Sequence, residues 1–258
     1  MIAIIDYGRG NLGSVEKAFG RVRVPAVVTQ DPRAVDEAAA VVLPGDGAFH
    51  DAMENLARLG LLPALGRALD GRRPFLGICL GYQLLFSSSE EFGEGRGLDV
   101  IPGAVRRFAP GRKIPHMGWN RVRHGGALRL FAGVPDGAHF YFVHSYYPVV
   151  AGAAGSGMGE GGLFEERGAP GVGSEVAGRE RGAPGVGSEV AGQERGAPGV
   201  RSGVAVNGLR VAWCEYGVTF AAAIERGLIF ATQFHPEKSQ RWGLRLLENF
   251  AALVTDGG

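Results

Sequence analysis

Short apolar runs alternate with longer amphipathic stretches along most of this chain. The runs at residues 2–5, 24–28 and 39–43 each have the length of a buried strand. A helical pattern follows the first run, and a helix-forming stretch around residues 34–38 separates the second from the third. Strands that alternate with helices in this way indicate an α/β fold with a parallel sheet.

The C-terminal part of the chain repeats this pattern of apolar runs. Runs at residues 211–214, 220–224 and 228–232 predict three more strands. Apolar residues at positions 242, 246, 247, 250 and 253 recur at helical spacing and predict an amphipathic helix over 239–253. Nearer the N-terminus, Ser14 is the expected N-cap of the first helix. A further helix is expected over residues 51–69, with Pro63 interrupting it.

Residues 151–207 differ in composition from the rest of the chain. These 57 residues hold 17 of the 44 glycines and a single aromatic residue, Phe164. A unit ERGAPGVGSEVAG starts at Glu166, recurs at Glu180 and begins again at Glu194. Because the units lack the large apolar side chains that a shared core needs, they predict a disordered or loosely packed insertion. The chain is therefore expected to be one domain over residues 1–258, interrupted at 151–207.

Overall charge and cysteine content exclude several classes of protein. The net charge of +1, with no long basic run, argues against nucleic-acid and membrane partners. The apolar start reaches Asp6 within five residues and is interpreted as a first strand, so a cytoplasmic protein is expected. Two cysteines, Cys79 and Cys214, do not suggest a disulfide framework. The six histidines show no metal-type pairing with one another or with a cysteine, so a metal site is not expected.

The stretch PFLGICLGYQLLF at residues 74–86 places Cys79 where a strand must turn into a helix. The small residues Gly77 and Gly81 bracket the cysteine at the spacing of a nucleophile elbow. At a helix N-terminus the thiolate would be stabilised, and the backbone amide of Leu80 would be one oxyanion donor. The competing interpretation is an ordinary buried cysteine, since free cysteines are among the most buried residues.

A base and an acid that suit such a nucleophile lie near the other end of the chain. A thiol nucleophile needs a base, and the base needs an orienting acceptor. His235 and Glu237, in the stretch QFHPE, supply these two groups, so Cys79, His235 and Glu237 form a candidate triad. Alone, a His-Pro-Glu tripeptide is weak evidence and is most often a turn before a helix. His144 is a rival base, but it lacks an adjacent acid.

The stretches LGICLGYQLL and ATQFHPEKS together resemble the class I (triad-type) glutamine amidotransferases. Three further stretches, DYGRGNLGSV, IPHMGWN and YFVHSYY, are similar to those of the glutaminase subunits of imidazole glycerol phosphate synthases. The resemblance covers residues 1 to about 150 and 211 to the C-terminus. It implies an open, mixed and mostly parallel sheet flanked by helices.

Roles for further residues follow from the resemblance. It implies that the amide of Gly47, in the segment PGDGAF, completes the oxyanion hole. Substrate-binding roles are implied for five positions, namely Gln83, Glu91, His144, Ser145 and Tyr146. Contacts with a partner are implied for Asn11 and Trp119. Asp46 departs from the family pattern, which has a small apolar residue there, and a carboxylate near a developing oxyanion would oppose it unless it is paired or points away.

The resemblance implies the hydrolysis of L-glutamine to glutamate and ammonia without a cofactor. The partner it implies is a (β/α)₈-barrel cyclase subunit, which receives the ammonia in a heterodimer that serves histidine biosynthesis. A glutaminase of another ammonia-using synthase is the nearer alternative.

A more distant alternative is a non-enzymatic dinucleotide-binding module. Gly8, Gly10 and Gly13 follow the first strand at the spacing of the dinucleotide fingerprint, and Asp31 lies near the position of a ribose-binding acid. A glycine fingerprint that no other motif accompanies is weak evidence for dinucleotide binding.

Overall fold

The computed structural model describes residues 1–152 and 208–255. Thirteen strands in these residues are β1 Ile2–Ile5, β2 Ala26–Thr29, β3 Ala40–Leu43, β4 Phe75–Ile78, β5 Phe86–Ser89, β6 Gly95–Arg96, β7 Ile101–Arg107, β8 His116–Val122, β9 Ala138–His144, β10 Tyr146–Val150, β11 Arg210–Glu215, β12 Thr219–Arg226 and β13 Ile229–Thr232. The α-helices are α1 Leu12–Arg21, α2 Pro32–Glu37, α3 Phe49–Arg58, α4 Leu62–Ala68, α5 Leu80–Gln83 and α6 Gln240–Thr255. Short 3₁₀ helices lie at Arg129–Phe131 and Pro236–Lys238.

The main sheet has seven strands in the order β11-β12-β13-β4-β3-β1-β2. The five strands from β13 to β2 run parallel, whereas β12 is antiparallel to both of its neighbours. Strand β4 therefore lies inside the sheet with β13 on one side and β3 on the other. This arrangement confirms the predicted α/β class with an open, mixed and mostly parallel sheet.

Two smaller sheets complete the strand pairing. The first has four strands in the order β10-β7-β5-β6, and the second is the antiparallel pair β8 and β9. An antiparallel bridge between Arg123 and Trp213 connects the end of β8 to β11 of the main sheet. The pair β8 and β9 thus adjoins the main sheet at its edge strand β11.

Apolar side chains cover both faces of the main sheet. One cluster joins the sheet to α1, α6 and the pair β8 and β9, through side chains that include Phe19, Phe250 and Phe142. The other joins it to α2, α3 and α4, through side chains that include Phe49 and Leu65. Strands covered on both faces have to be apolar throughout, which explains why β1, β3 and β4 are completely buried.

Several local predictions were wrong at their ends. The first helix begins at Leu12 after Asn11, so Ser14 is not its N-cap. The helix expected over 51–69 is two helices, because α3 ends at Arg58 and α4 begins at Leu62. The helix expected after Cys79 ends at Gln83, and Phe86 already belongs to strand β5.

The predicted repeat insertion at 151–207 lies almost entirely outside the described residues. Ala151 and Gly152 form a turn after β10, and the description resumes at Gly208 shortly before β11. The prediction of an insertion in one domain therefore stays a prediction. Among the helices of the described ranges, none has the length and apolar character that crossing a membrane requires.

The close approach of Gly81 to strand β3 yields a prediction about stability. A Cβ atom at Gly81 would lie 1.8 Å from the carbonyl oxygen of Leu43, which is backbone and cannot move aside alone. We expect Gly81→Ala to lower the free energy of unfolding by about 1–3 kcal/mol, the usual cost of overpacking. Urea denaturation measures this change.

Gly66 is the matched control, because it is an exposed glycine inside α4 where an added Cβ atom would have no other atom within 4 Å. Gly66→Ala is expected to raise the free energy of unfolding by about 0.5–1 kcal/mol, as alanine favours a helix over glycine. Equal stability of Gly81→Ala and wild type would contradict the close packing of α5 on β3.

Candidate functional site

Cys79 lies at the sharp turn between β4 and α5. Its backbone has φ 55° and ψ −107°, a strained conformation for a residue with a side chain. The two glycines allow the turn to be tight. A Cβ atom at Gly77 would lie only 2.9 Å from the carbonyl oxygen of Gly81, so a larger residue would not fit there. The amide of Cys79 donates to the carbonyl of Thr232 over 2.8 Å, which fixes the turn to β13. This is the geometry that the Gly-Ile-Cys-Leu-Gly spacing predicts.

The helix after Cys79 is shorter than the sequence indicates. Helix α5 has four residues, Leu80–Gln83, and then gives way to a turn. A helix dipole grows with the number of aligned peptide units, so its effect on the thiolate is smaller than expected for a helix over 80–86. Stabilisation of a thiolate at Cys79 therefore depends more on neighbouring side chains.

His235 follows β13, the strand beside β4, and is paired with Glu237. The ring Nδ1 lies 2.8 Å from Oε1 of Glu237, and both side chains are almost fully buried. Ser239 supports this turn, since its hydroxyl donates to the carbonyl of His235 over 2.6 Å and accepts the amide of Tyr141 over 3.0 Å. The ring is thus oriented by the Glu237 carboxylate, while Ser239 connects the backbone of His235 to strand β9.

The charge of the His235 ring follows from its neighbours. Burial lowers the pKa of His235, but the negative charges of the Cys79 sulfur and the Glu237 carboxylate outweigh it and raise the pKa to about 10. Nε2 of the ring makes no hydrogen bond of ordinary geometry within the described residues. This buried nitrogen therefore has no competing partner within the described residues, and the charge of the Cys79 sulfur favours its proton.

A cavity of about 430 Å³ opens over the cysteine. Most of the residues proposed from sequence line it together, namely Gly47, Cys79, Leu80, Gln83, Glu91, His144, Ser145, Tyr146 and His235. Glu237 lies behind His235, hydrogen-bonded to its ring. A nucleophile, a base and polar groups thus face one concave space, which is the arrangement that acyl transfer requires.

The glycine loop that follows β3 lies at the edge of this cavity. Gly47 has φ 88°, a conformation that favours glycine. The carboxylate of Asp46 accepts the amide of Gly10 over 3.0 Å. The sequence raised the concern that this carboxylate would oppose an oxyanion, and the contact pairs it with a backbone donor of the preceding loop.

Two polar side chains border the cavity away from the sulfur. The amide nitrogen of Gln83 donates to the carbonyl of Tyr146 over 2.9 Å. The carboxylate of Glu91 accepts the amide of Phe49 over 2.7 Å. Burial raises the pKa of Glu91, while the Phe49 amide opposes that shift. Both side chains are therefore held by backbone groups at the cavity wall.

Asn11 and Trp119, the residues proposed to meet a partner, lie outside the cavity. Asn11 is exposed where α1 begins. Trp119 lies on β8 and is 47% exposed, and Met117, two residues earlier on the same strand, is 59% exposed. Alternate residues of a strand point to the same face, so the tryptophan and the methionine form one exposed apolar patch.

Three buried or half-buried polar residues were missed by the sequence analysis. Gln233 has its amide nitrogen 3.7 Å from the Cys79 sulfur, and His116 and Asn120 form hydrogen bonds that lead to His144. The signal for Gln233 was present, because residues two apart in an extended segment share a face, and His235 is two residues away. His116 could not be found from local sequence, since its contact depends on the pairing of β8 with β9.

The glycine fingerprint of the first loop has other structural uses. The carboxylate of Asp31 accepts the amide of Arg33 over 2.9 Å and caps α2. Asp6 accepts the amide of Gly8 over 2.8 Å within the loop. The acid expected to bind a ribose is therefore engaged in holding a helix start. Within 1–152 and 208–255, no group of three or more histidine, cysteine or acidic residues is placed to hold a metal ion.

Comparison with solved structures agrees with this fold. A crystal structure of a glutamine amidotransferase superposes with a TM-score of 0.60 at 15% identity, over 99% of this chain and 100% of that one. The glutaminase domain of Trypanosoma brucei CTPS superposes with a TM-score of 0.57 at 16% identity, over 99% of this chain and 93% of that one. At these identities the similarity concerns the fold.

Sequence comparison identifies the family. The family model for glutamine amidotransferase class-I matches residues 3–151. The chain is 43% identical to the imidazole glycerol phosphate synthase subunit HisH of Moorella thermoacetica, over 100% of this chain and 97% of that protein. It is 41% identical to the protein of the same name from Desulfitobacterium hafniense strain DSM 10664 / DCB-2, over 99% of this chain and 96% of that protein. The chain therefore belongs to the class-I glutamine amidotransferase family.

Proposed function

We propose that this protein is the glutaminase subunit of an imidazole glycerol phosphate synthase, acting in the cytoplasm in histidine biosynthesis. It hydrolyses L-glutamine to glutamate and ammonia and passes the ammonia to a cyclase subunit. The observation that carries the proposal is the shared cavity over Cys79 and His235, with Glu237 on the far side of the ring. Relatives that match nearly the whole chain bear the name of this synthase subunit, which supports the assignment.

The first chemical step is attack by the Cys79 thiolate on the side-chain carbonyl carbon of glutamine. The carbonyl oxygen becomes an oxyanion, and the amides of Leu80 and Gly47 are the proposed donors to it. His235 then donates a proton from Nε2 to the leaving nitrogen, so that ammonia departs and a γ-glutamyl thioester remains on Cys79. The raised pKa of His235, about 10, keeps this proton on the ring at neutral pH.

The second step releases glutamate. Once the proton has left, Nε2 of His235 is unprotonated and accepts a proton from water, which attacks the thioester. The carbon–sulfur bond breaks, and the thiolate returns with the imidazolium beside it. Glu237 accepts a hydrogen bond from the Nδ1–H group throughout, which orients the ring and stabilises its charged form.

The amino-acid end of glutamine is proposed to bind at the opposite wall of the cavity. The carboxylate of Glu91 and the side-chain oxygen of Gln83 suit an α-ammonium group, since both are acceptors. Backbone amides of His144, Ser145 and Tyr146 are the proposed donors to the α-carboxylate. A substrate held at both ends would place its amide next to the sulfur.

A partner of the (β/α)₈-barrel type is proposed to cover the face that carries Trp119 and Met117. Ammonia released into water would be protonated at neutral pH, so the acceptor enzyme has to be docked during turnover. An exposed tryptophan is a favoured centre of a protein interface. Asn11, exposed at the start of α1, is the proposed polar contact.

The test of this function is glutamate formation with and without a cyclase subunit that carries its nucleotide ligand. We expect stimulation of about tenfold or more, equivalent to about 1.4 kcal/mol of transition-state stabilisation. Trp119→Ala should weaken binding of the cyclase about tenfold or more, because truncation of an interface hot spot costs about 2 kcal/mol. Trp119→Phe, which keeps an aromatic ring, should retain most of the stimulation.

Alkylation of Cys79 by iodoacetamide without the cyclase provides the control, since Trp119 lies outside the cavity and the substitution should leave this rate unchanged. Equal rates of glutamate formation with and without the cyclase would contradict the coupled function.

Removing the carboxylate of Glu237 should change the pH dependence of glutaminase activity. The protonated His235 ring is the form that releases ammonia, so kcat/KM should fall as pH rises through the pKa of that ring, about 10. Glu237→Gln removes a negative charge that favours the protonated ring and should shift this fall to lower pH. It should also lower kcat/KM about 100-fold or more near neutral pH.

Glu248→Gln makes the same chemical change at an exposed residue whose carboxylate lies 3.1 Å from Arg245. Its pH profile is expected to match the wild type. An unchanged profile for Glu237→Gln would show that Glu237 does not act on His235.

A further inference from the structure

A pair of histidines outside the proposed triad joins β8 to β9 in the protein interior. His116 and His144 are directly opposite each other in the strand pairing, and Nδ1 of His116 lies 3.0 Å from Nε2 of His144. The His116 ring is stacked between Phe142 and Tyr216, at centroid distances of 4.8 and 4.0 Å. Aromatic packing on both faces holds the ring in place.

Both rings are neutral at pH 7. Burial lowers the pKa of His116 to about 4. Burial and the neighbouring His116 together lower the pKa of His144 to about 3. A neutral imidazole has one donor nitrogen and one acceptor nitrogen, so the partners of each ring determine its tautomer.

These partners fix the direction of every hydrogen bond. Nδ1 of His144 lies 2.7 Å from the carbonyl oxygen of Tyr146, which only accepts, so this nitrogen carries the proton. Nε2 of His144 is then an acceptor, and Nδ1 of His116 must donate to it. Nε2 of His116 is left as an acceptor for the amide of Asn120, which lies 3.1 Å away.

Asn120 independently has the orientation that this direction requires. Its side-chain nitrogen also donates to the carbonyl of Glu215 over 2.9 Å, and its oxygen accepts the amide of Arg121 over 2.8 Å. A reversed amide group would oppose both contacts. Backbone groups therefore set the direction at both ends of the histidine pair.

The same carbonyl of Tyr146 also accepts a hydrogen bond from Gln83, which lies on the side of the nucleophile. Gln83 donates to it over 2.9 Å and, with the same nitrogen, donates to the side-chain oxygen of Gln233 over 3.0 Å. The oxygen of Gln233 is thereby engaged, so its amide nitrogen is turned toward the Cys79 sulfur at 3.7 Å. Gln233 is fully buried and has no freedom to reverse without losing the contact with Gln83.

We propose that two hydrogen-bond chains of fixed direction meet at the Tyr146 carbonyl, one running from Asn120 through His116 to His144 and the other formed by Gln83 and Gln233. The second chain aims the amide N–H of Gln233 at the Cys79 thiolate, and the first holds the carbonyl on which Gln83 depends. Gln233 is the catalytic member, because it touches the reacting sulfur, and the others are positioning residues. This proposal rests on the proposed function and adds to it a donor that stabilises the thiolate before substrate binds. A hydrogen bond to a charged acceptor is stronger than one to a neutral acceptor, so the donor favours ionisation of the thiol.

Histidine tautomers provide a test that is independent of turnover. In ¹⁵N spectra recorded at pH 7 on the free subunit, His116 and His144 are expected to be neutral with the proton on Nδ1 in both rings. His116→Phe, which keeps the stacked ring, assigns one signal and should shift that of His144. If this variant does not fold, Asn120→Leu serves the assignment. A proton on Nε2 of either ring, or a charged ring at pH 7, would overturn the chain from Asn120 to the Tyr146 carbonyl.

Gln233→Met tests the donor at the sulfur, since methionine has a similar length and no N–H group. We expect the pH midpoint for alkylation of Cys79 by iodoacetamide in the free subunit to rise by about one unit, and the rate below that midpoint to fall about tenfold. The charged and titratable groups around the sulfur are the same in both proteins, namely Tyr7, Asp46, Glu91, His144, Tyr146, His235, Glu237 and Lys238. The shift therefore reports Gln233.

Gln240→Met makes the same change at an exposed position and should leave the midpoint unaltered. Peptide mass spectrometry distinguishes alkylation of Cys79 from alkylation of Cys214. Cys214 is buried, and this burial raises the pKa of its thiol. If Gln233→Met does not fold, Gln233→Leu replaces it, because leucine also lacks an N–H group and adds no charge that would itself shift the midpoint.

An unchanged midpoint in a folded variant would overturn the role of Gln233. Failure of the proposed function gives a different result, in which the tautomers and the midpoint shift are as expected but the wild type with its cyclase does not hydrolyse glutamine.

Discussion

The backbone turn at Cys79 is the constraint on which the rest of the site depends. A residue with a side chain at φ 55° and ψ −107° costs on the order of 1–3 kcal/mol. The surrounding sheet stabilises it, since β4 is buried between β3 and β13 and the Cys79 amide bonds to Thr232. Gly81 lets the following turn pass against the Leu43 carbonyl, where a Cβ atom has no room. The strain places the sulfur at the mouth of a cavity.

Strand order then determines which groups meet that sulfur. Strand β13 is parallel to β4 and adjacent to it, so both strands end at the same edge of the sheet. The residues that leave β13 at this edge include Gln233 and His235, and both lie at the sulfur although they are distant from Cys79 in sequence. The pairing of β8 with β9 brings His144 to the other side of the cavity, with His116 hydrogen-bonded behind it. Two separate strand pairings therefore build one polar environment.

Local sequence predicted the parts of the molecule that depend on local physics. The buried strands were identifiable from apolar runs, and Cys79, His235 and Glu237 were proposed from glycine spacing and the proximity of an acid to a base. The helix expected over 80–86 was wrong because Phe86 pairs with Ile101 of β7, a tertiary contact that overrides helical propensity. The direction of the His116 and His144 hydrogen bonds depends on the strand register and on backbone carbonyl groups. The sequence of side chains alone predicts neither.

The most direct measurement is the detection of a γ-glutamyl thioester on Cys79 after acid quenching during turnover with glutamine and the cyclase subunit. Peptide mass spectrometry should find the adduct on Cys79 in the wild type and in Cys214→Ala. Cys79→Ala should give neither adduct nor glutamate formation above background, although it should fold and still bind the cyclase. Glutamate formation by Cys79→Ala at the wild-type rate, or an adduct on a residue other than Cys79, would contradict the account.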